Sequence, residues 1–189
     1  MRHSKILIAT TLLASGMLGL APAAIAATPT ANTVKPAIAC ETVYWGSTPK
    51  IKNVHAANTL HNIRSGRHTC FDRLVIDMNA KNLGYSVKYV DKVYQVGSGQ
   101  RVHLSGGAIL AVTVNAPAYD ANGNPTYLHG PMVRTLNYST FKQQAFLGSF
   151  EGQTEIAMST RARLPMRVFT LDGPGQGSRL VIDVAHYWY

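Results

Sequence analysis

The sequence predicts an all-β, single-domain β-sandwich, and three observations predict it. Charged residues make up only 14% of the 189, against about 25% in an average soluble domain, and Glu occurs at Glu41, Glu151 and Glu155 alone. So few carboxylates leave surface helices without i,i+4 ion pairs, whereas frequent Val, Thr and Tyr favour strands. From Phe71 onward apolar and polar residues alternate with a period of two, and Gly, Pro and Asn clusters separate short runs. A hydrophobic content of 46% excludes wholesale disorder. The same balance argues against a coiled coil, a helical bundle or a histone-like protein, despite a net charge of +9.

The beginning of the chain reads as an address. Met1 to Lys5 is basic, no charged side chain occurs from Ile6 to Val34, and an apolar run ends in Ala21-Pro-Ala-Ala-Ile-Ala-Ala27. That is the pattern of a secretory signal peptide, with cleavage expected after Ala26. An uncleaved anchor is the rival reading, but Pro22 and small residues stand where a stop-transfer segment wants Lys or Arg. Residues 27–40 lack periodicity and read as a flexible tether, which leaves 41–189 as the folded domain. After cleavage no transmembrane segment is expected.

Cys40 and Cys70 suit an oxidising compartment, where a lone pair of cysteines is most simply a disulfide. It closes about thirty residues and contributes roughly 3–4 kcal/mol in the chain-entropy model. The enclosed segment, Glu41 to Thr69, is poor in apolar residues and holds Gly46, Pro49 and Gly66, so it has little burial to order it. The alternative is a metal site of His55, His61, His68 and Cys70, a spacing that fits no common zinc pattern.

In the body, Arg73 to Met78 alternates, with Leu74, Ile76 and Met78 on one face and Arg73, Val75 and Asp77 on the other. Tyr85 to Val96 is a second run that turns Tyr85, Val87, Tyr89 and Val93 one way. Gly97-Ser-Gly99 and Gly106-Gly107 are turn signals. Ala108 to Val114 is apolar throughout and reads as a central strand buried on both sides. The remaining candidates are 133–138, 143–150, 154–161, 166–171 and 179–184. One pentad occurs twice, as Arg73-Leu-Val-Ile-Asp77 and Arg179-Leu-Val-Ile-Asp183, which predicts related strands at matching positions in the two sheets.

Signals of chemistry are few. Gly148-Ser-Phe-Glu-Gly152 lacks the central serine of a nucleophile elbow, and neither H-E-x-x-H nor a phosphate loop of the Walker type occurs. No catalytic residue, cofactor or metal is therefore expected. Asp120-Ala-Asn-Gly-Asn124 opens like a calcium loop but places Pro125 and Pro131 where Gly and Glu are needed, so it reads as an Asx-stabilised turn. Arg64, Arg67, His68 and Arg73 gather around Cys70, and Arg161, Arg163 and Arg167 around Pro165. Even spacing lets the second set share one side of an extended strand, unless Pro165 breaks it. In an exported protein such charge points to an anionic polymer or a carboxylate-bearing peptide rather than to nucleic acid.

An ordered series of motifs resembles a known family. Tyr44-Trp-Gly-Ser47, Ile63 to Asp77, Gly84 to Val90, Asn115 to Asp120, Gly148 to Thr154, Arg163 to Phe169 and Arg179 to His186 look like the AMIN-like domain proteins of actinobacteria. The resemblance implies an exported β-sandwich, similar to the AMIN modules that sit beside wall amidases and secretin pores and are associated with envelope polymers. No amidase or secretin segment accompanies it, so targeting of a fused enzyme is not expected, and no reaction or catalytic residue carries over. The expectation is a non-enzymatic module, secreted and wall-associated, that contacts peptidoglycan or an anionic wall polymer through Trp45, Arg64, Arg67, His68 and Arg73. The rivals are an accessory factor that binds an envelope protein, with His186-Tyr-Trp-Tyr189 as a possible patch, and an envelope enzyme whose site is assembled from distant residues.

Overall fold

Among the residues that the computed structural model describes, every regular element is a strand. The structure describes Cys40 and residues 44–128, 132–134 and 137–188. In chain order these residues form β1 (Lys50–Lys52), β2 (Leu60–Arg67), β3 (Phe71–Met78), β4 (Tyr85–Val90), β5 (Val93–Tyr94) and β6 (Arg101–Val102). There follow β7 (Ala108–Val114), β8 (Met132–Arg134), β9 (Phe141–Phe150), β10 (Gln153–Thr160), β11 (Met166–Asp172) and β12 (Ser178–Ala185). The expected signal peptide, and the tether up to residue 39, lie outside the described residues.

Two antiparallel sheets face each other. One runs β1-β4-β7-β10-β9-β8 and the other β11-β12-β3-β2, and β5 pairs with β6 as a separate hairpin. Alternation places the core between the sheets. Leu74, Ile76 and Met78 of β3 and Leu180, Ile182 and Val184 of β12 meet Val87 of β4, Leu110, Val112 and Val114 of β7, and Ile156 and Met158 of β10. A second, smaller cluster lies on the far side of the six-stranded sheet, where Val93, Val96 and Val102 of the hairpin region cover Ala145, Leu147 and Ala157. This explains the unbroken apolar run of β7: Leu110 and Val112 enter the main core, while Ile109 and Ala111 lie beneath the hairpin.

The all-β sandwich expected from the sequence is what forms, with three corrections. The Tyr85–Val96 run is two strands: Tyr85, Val87 and Tyr89 face the main core, whereas Val93, beyond the break at Asp91-Lys92, belongs to the hairpin cluster on the other face. The polar segment before Cys70 is not without structure, because β2 is an eight-residue edge strand. Its bulge at His61 puts Leu60 and Ile63, three apart, on the same buried face. The twin pentads lie not in two sheets but side by side in one. Arg73 stands opposite Asp183, Leu74 opposite Ile182, Val75 opposite Val181, Ile76 opposite Leu180 and Asp77 opposite Arg179.

Gly84 shows how tightly the edge of the six-stranded sheet is closed. A Cβ there would stand 2.0 Å from the Val54 carbonyl oxygen, the atom that accepts the Asn115 Nδ2–H at 2.8 Å. The Gly84→Ala variant is expected to lose about 1–3 kcal/mol, since a rigid backbone must move. A urea titration that leaves the midpoint in place contradicts this close approach.

Candidate binding face on the four-stranded sheet

The hairpin covers the outside of the six-stranded sheet, so the open broad face belongs to β11-β12-β3-β2. Its outward residues form three cross-strand rows, set by register and alternation. The first is Arg167–Asp183–Arg73–Gly66, the second Phe169–Val181–Val75–Arg64, and the third Leu171–Arg179–Asp77–Asn62.

Charge is organised along these rows. Asp183 is fully buried beneath two guanidinium groups: Arg73 donates Nε to Oδ1 at 2.6 Å and Nη2 to Oδ2 at 2.9 Å, and Arg167 donates Nε to Oδ2 at 2.8 Å. Asp77 accepts Arg64 Nε at 2.9 Å and Nη2 at 3.0 Å, with Asn62 Nδ2 at 3.3 Å. These hydrogen bonds to carboxylates hold the Arg64 and Arg73 pKa values above the ordinary one. Arg179 gives Nη2 to the Asp172 carbonyl oxygen at 3.1 Å. Four guanidinium groups thus meet two carboxylates on this face, leaving it positive.

Aromatic rings interleave with the arginines at one end. The Arg167 guanidinium lies 4.4 Å from the Trp45 ring centroid, 5.3 Å from Phe71 and 5.4 Å from Phe169. That of Arg73 lies 5.1 Å from Phe71 and 5.7 Å from Phe169. Such contacts hold flexible side chains in place and cover the buried Asp183. Trp45 reaches the face on a strap, which is fixed by the Met166 amide donating to the Gly46 carbonyl at 2.8 Å and by Arg163 donating to Ser47. The Cys40–Cys70 disulfide forms, with Cα atoms 5.5 Å apart, and ties the chain before the strap to the residue preceding β3. Because Cys70 is bonded there, the alternative metal site that included it is overturned.

Of the residues expected from sequence, Trp45, His68 and Arg73 come together around Phe71, on which His68 stacks at 4.5 Å. Arg64 lies further along the same face. Arg67 does not join them: it stands opposite inward-facing Asp72 on β3 and donates to the Asn137 carbonyl at 2.8 Å. The structure adds Phe71, Arg167, Phe169, Arg179, Val181 and Asp183. The sequence signal for three of them, Arg179, Val181 and Asp183, was the repeated pentad, whose first, third and fifth residues point outward. The arginines around Pro165 do not share a face. Arg161 donates to the His186 carbonyl, Arg163 binds Ser47 across the Tyr89 ring, and only Arg167 reaches the sheet face.

Two hollows open on the face. One of about 240 Å³ is bounded by Arg64, His68, Arg73, Val75, Arg179 and Val181. The other, of about 520 Å³, has His61, Arg64, Asp77, Gln176 and Arg179 in its wall. A larger hollow of about 700 Å³ lies elsewhere, beside Asn58, Asn115, Tyr119 and Asp120. Several of its polar groups are already engaged within the chain. Asn58 serves Ala80 and Thr59, Asn115 donates to Val54, and Asp120 accepts the backbone amides of Asn122 and Asn124 at 2.8 Å each. The Asn124 side-chain hydrogen bond, with help from these amides, lowers the Asp120 pKa, so the loop is the Asx-stabilised turn its sequence predicts. Among the described residues no three His, Cys, Asp or Glu side chains gather in a way that holds a metal ion. Among the described residues no helix is long and apolar enough to cross a membrane.

A family model for the AMIN-like domain matches residues 58–186, from two residues before β2 to one residue past β12. The chain belongs to the AMIN-like domain family. Both pentads and all four strands of the candidate face lie inside the matched region of this AMIN-like domain, whereas the Trp45 strap and Cys40 precede it. No curated protein and no solved structure matches the chain significantly.

Proposed function

We propose that this AMIN-like domain is an exported, non-catalytic binding module of the cell envelope, and that the outer face of its four-stranded sheet contacts peptidoglycan or an associated anionic wall polymer. The observation that carries the reading is the row structure of that face, which sets surplus guanidinium charge among aromatic rings. Arg and Trp are efficient anchors, and here they are held in place before any ligand arrives. The basic leader followed by an apolar run, and the disulfide, support export. A binding rather than a catalytic role is supported by the His186–Asp72 contact, in which Nε2 and Oδ1 are 3.2 Å apart. Both residues are buried at the end of the sheets. An envelope protein as partner is the second reading, favoured by exposed Trp188 and by the exposed last three residues, Thr170 to Asp172, of edge strand β11.

The test is co-sedimentation of the mature protein with purified sacculi at low and moderate salt. Binding is expected at low salt and is weakened by added salt, because exposed charges are screened. The double variant R64Q/R167Q is expected to bind about ten-fold more weakly. Absence of co-sedimentation at both salt levels rejects the wall-polymer reading.

A further inference from the structure

We propose that Arg179 is the receiving residue of this face and that the group it takes is a carboxylate. The inference rests on the binding reading above and adds the ligand chemistry to it. The side-by-side pentads are related by a local two-fold through the Val75–Val181 pair, which makes Arg73 and Arg179 equivalent, and likewise Asp183 and Asp77. The two ends are not filled alike.

At the first end Arg73 grips Asp183 through Nε and Nη2. At the second, the same Nε and Nη2 fork comes from Arg64 on the neighbouring strand, and it takes Asp77. Arg179 is thereby without the carboxylate that its symmetry mate holds. Its Nη2 bonds a peptide carbonyl, and its Nε is buried with no hydrogen-bond partner. The side-chain carboxylate of Asp172, whose carbonyl Arg179 bonds, pairs instead with Lys81 Nζ at 3.4 Å. A buried, unpartnered N–H on a charged group is costly, and a carboxylate forms the stronger, charge-assisted bond.

Access comes from the two hollows, which share Arg179 and Arg64 in their walls. A swing of the guanidinium off the Asp172 carbonyl exposes Nε to either. The smaller hollow, about 240 Å³, has Val75 and Val181 in its lining and admits one acid group with a short side chain, not a polymer backbone. The polymer therefore runs across the face while a pendant carboxylate enters. Carboxylate is favoured over phosphate because both filled positions of the motif hold planar two-oxygen acceptors in the same fork.

The test follows the arginine Nε–Hε resonances of ¹⁵N-labelled protein as N-acetyl-Ala-Ala with a free carboxyl end, its C-terminal amide, or inorganic phosphate is added. The acid is expected to shift the Arg179 signal, the amide to leave it in place, and phosphate to bind at least about ten-fold more weakly. Arg179→Gln is expected to lose the response with an unchanged urea midpoint, and Arg179→Lys to retain part of the affinity without the fork. Equal shifts by acid and amide, or unaltered acid binding by Arg179→Gln, overturn the proposal. Sacculus binding is read separately. Wild type that sediments while Arg179 ignores the acid removes the carboxylate subsite and keeps the wall-polymer reading. An acid-shifted Arg179 in a protein that ignores sacculi supports the subsite and removes that reading.

Discussion

Replacement of Asp72 by Ala is expected to destabilise the protein by about 3–5 kcal/mol, the largest loss from any single side chain considered. Asp72 is fully buried on the inward side of β3. Its Oδ2 accepts the Thr140 amide at 2.6 Å and the Phe141 amide at 3.0 Å, and its Oδ1 faces His186 Nε2 at 3.2 Å. Those amides lead into β9 of the six-stranded sheet, while Asp72 lies in β3 and His186 just past β12 of the four-stranded one. Thr140 completes the joint by donating Oγ1 to the Ala185 carbonyl at 3.1 Å. One carboxylate thus closes the end of the sandwich by satisfying backbone donors of the opposite sheet. Alanine leaves two buried N–H groups without acceptors, at about 1–3 kcal/mol each, and a cavity besides. Asp72→Asn keeps one acceptor oxygen and is expected to lose roughly half as much. Urea unfolding measures both, and a loss below about 1 kcal/mol for the alanine variant contradicts the closing role.

That residue also marks how far the sequence could be read. The alternation in Arg73 to Met78 is visible because one face meets the core and the other meets solvent, and the sheet assignment followed from it. Asp72 carries no such signal, since its partners are backbone amides nearly seventy positions away. β2 was hidden for a different reason. As an edge strand it is polar, and its bulge at His61 shifts Leu60 and Ile63 out of period-two register. The candidate face was half legible. The pentads announced outward Arg and Asp, and Trp45, Arg64, His68 and Arg73 do lie on or beside the face. Pairing the two pentads with each other, however, requires knowing that β3 and β12 are neighbours across more than a hundred residues. Arg67 misled because closeness in sequence to Arg64 says nothing when an odd offset turns a strand residue to the opposite side.

Opening the Cys40–Cys70 bridge is expected to lower stability by about 3–4 kcal/mol and to weaken binding through a separate local effect. The first part follows from the sequence separation of 30, which fixes the loop the bridge removes from the unfolded ensemble. The second follows from where the bridge lies. It ties the chain before the Trp45 strap to the residue preceding Phe71, and Trp45 meets Phe71 edge-on at 5.9 Å while lying under the Arg167 guanidinium. Among the described residues, hydrogen bonds of Gly46, Ser47 and Lys50 hold the later part of the strap, so opening the bridge is expected to loosen its Cys40 side and with it the seat of Trp45. Cys40→Ser with Cys70→Ser, placed in a Trp188→Phe background, leaves Trp45 as the sole indole reporter. Its emission is expected to shift to the red and to become more accessible to iodide under conditions where the circular dichroism of the sheets is unchanged. Sacculus binding is expected to fall several-fold under those same conditions, because Arg167 loses the ring that positions it. Unaltered Trp45 emission in a protein of reduced stability would leave the bridge as a purely entropic clip and take the strap out of the binding face.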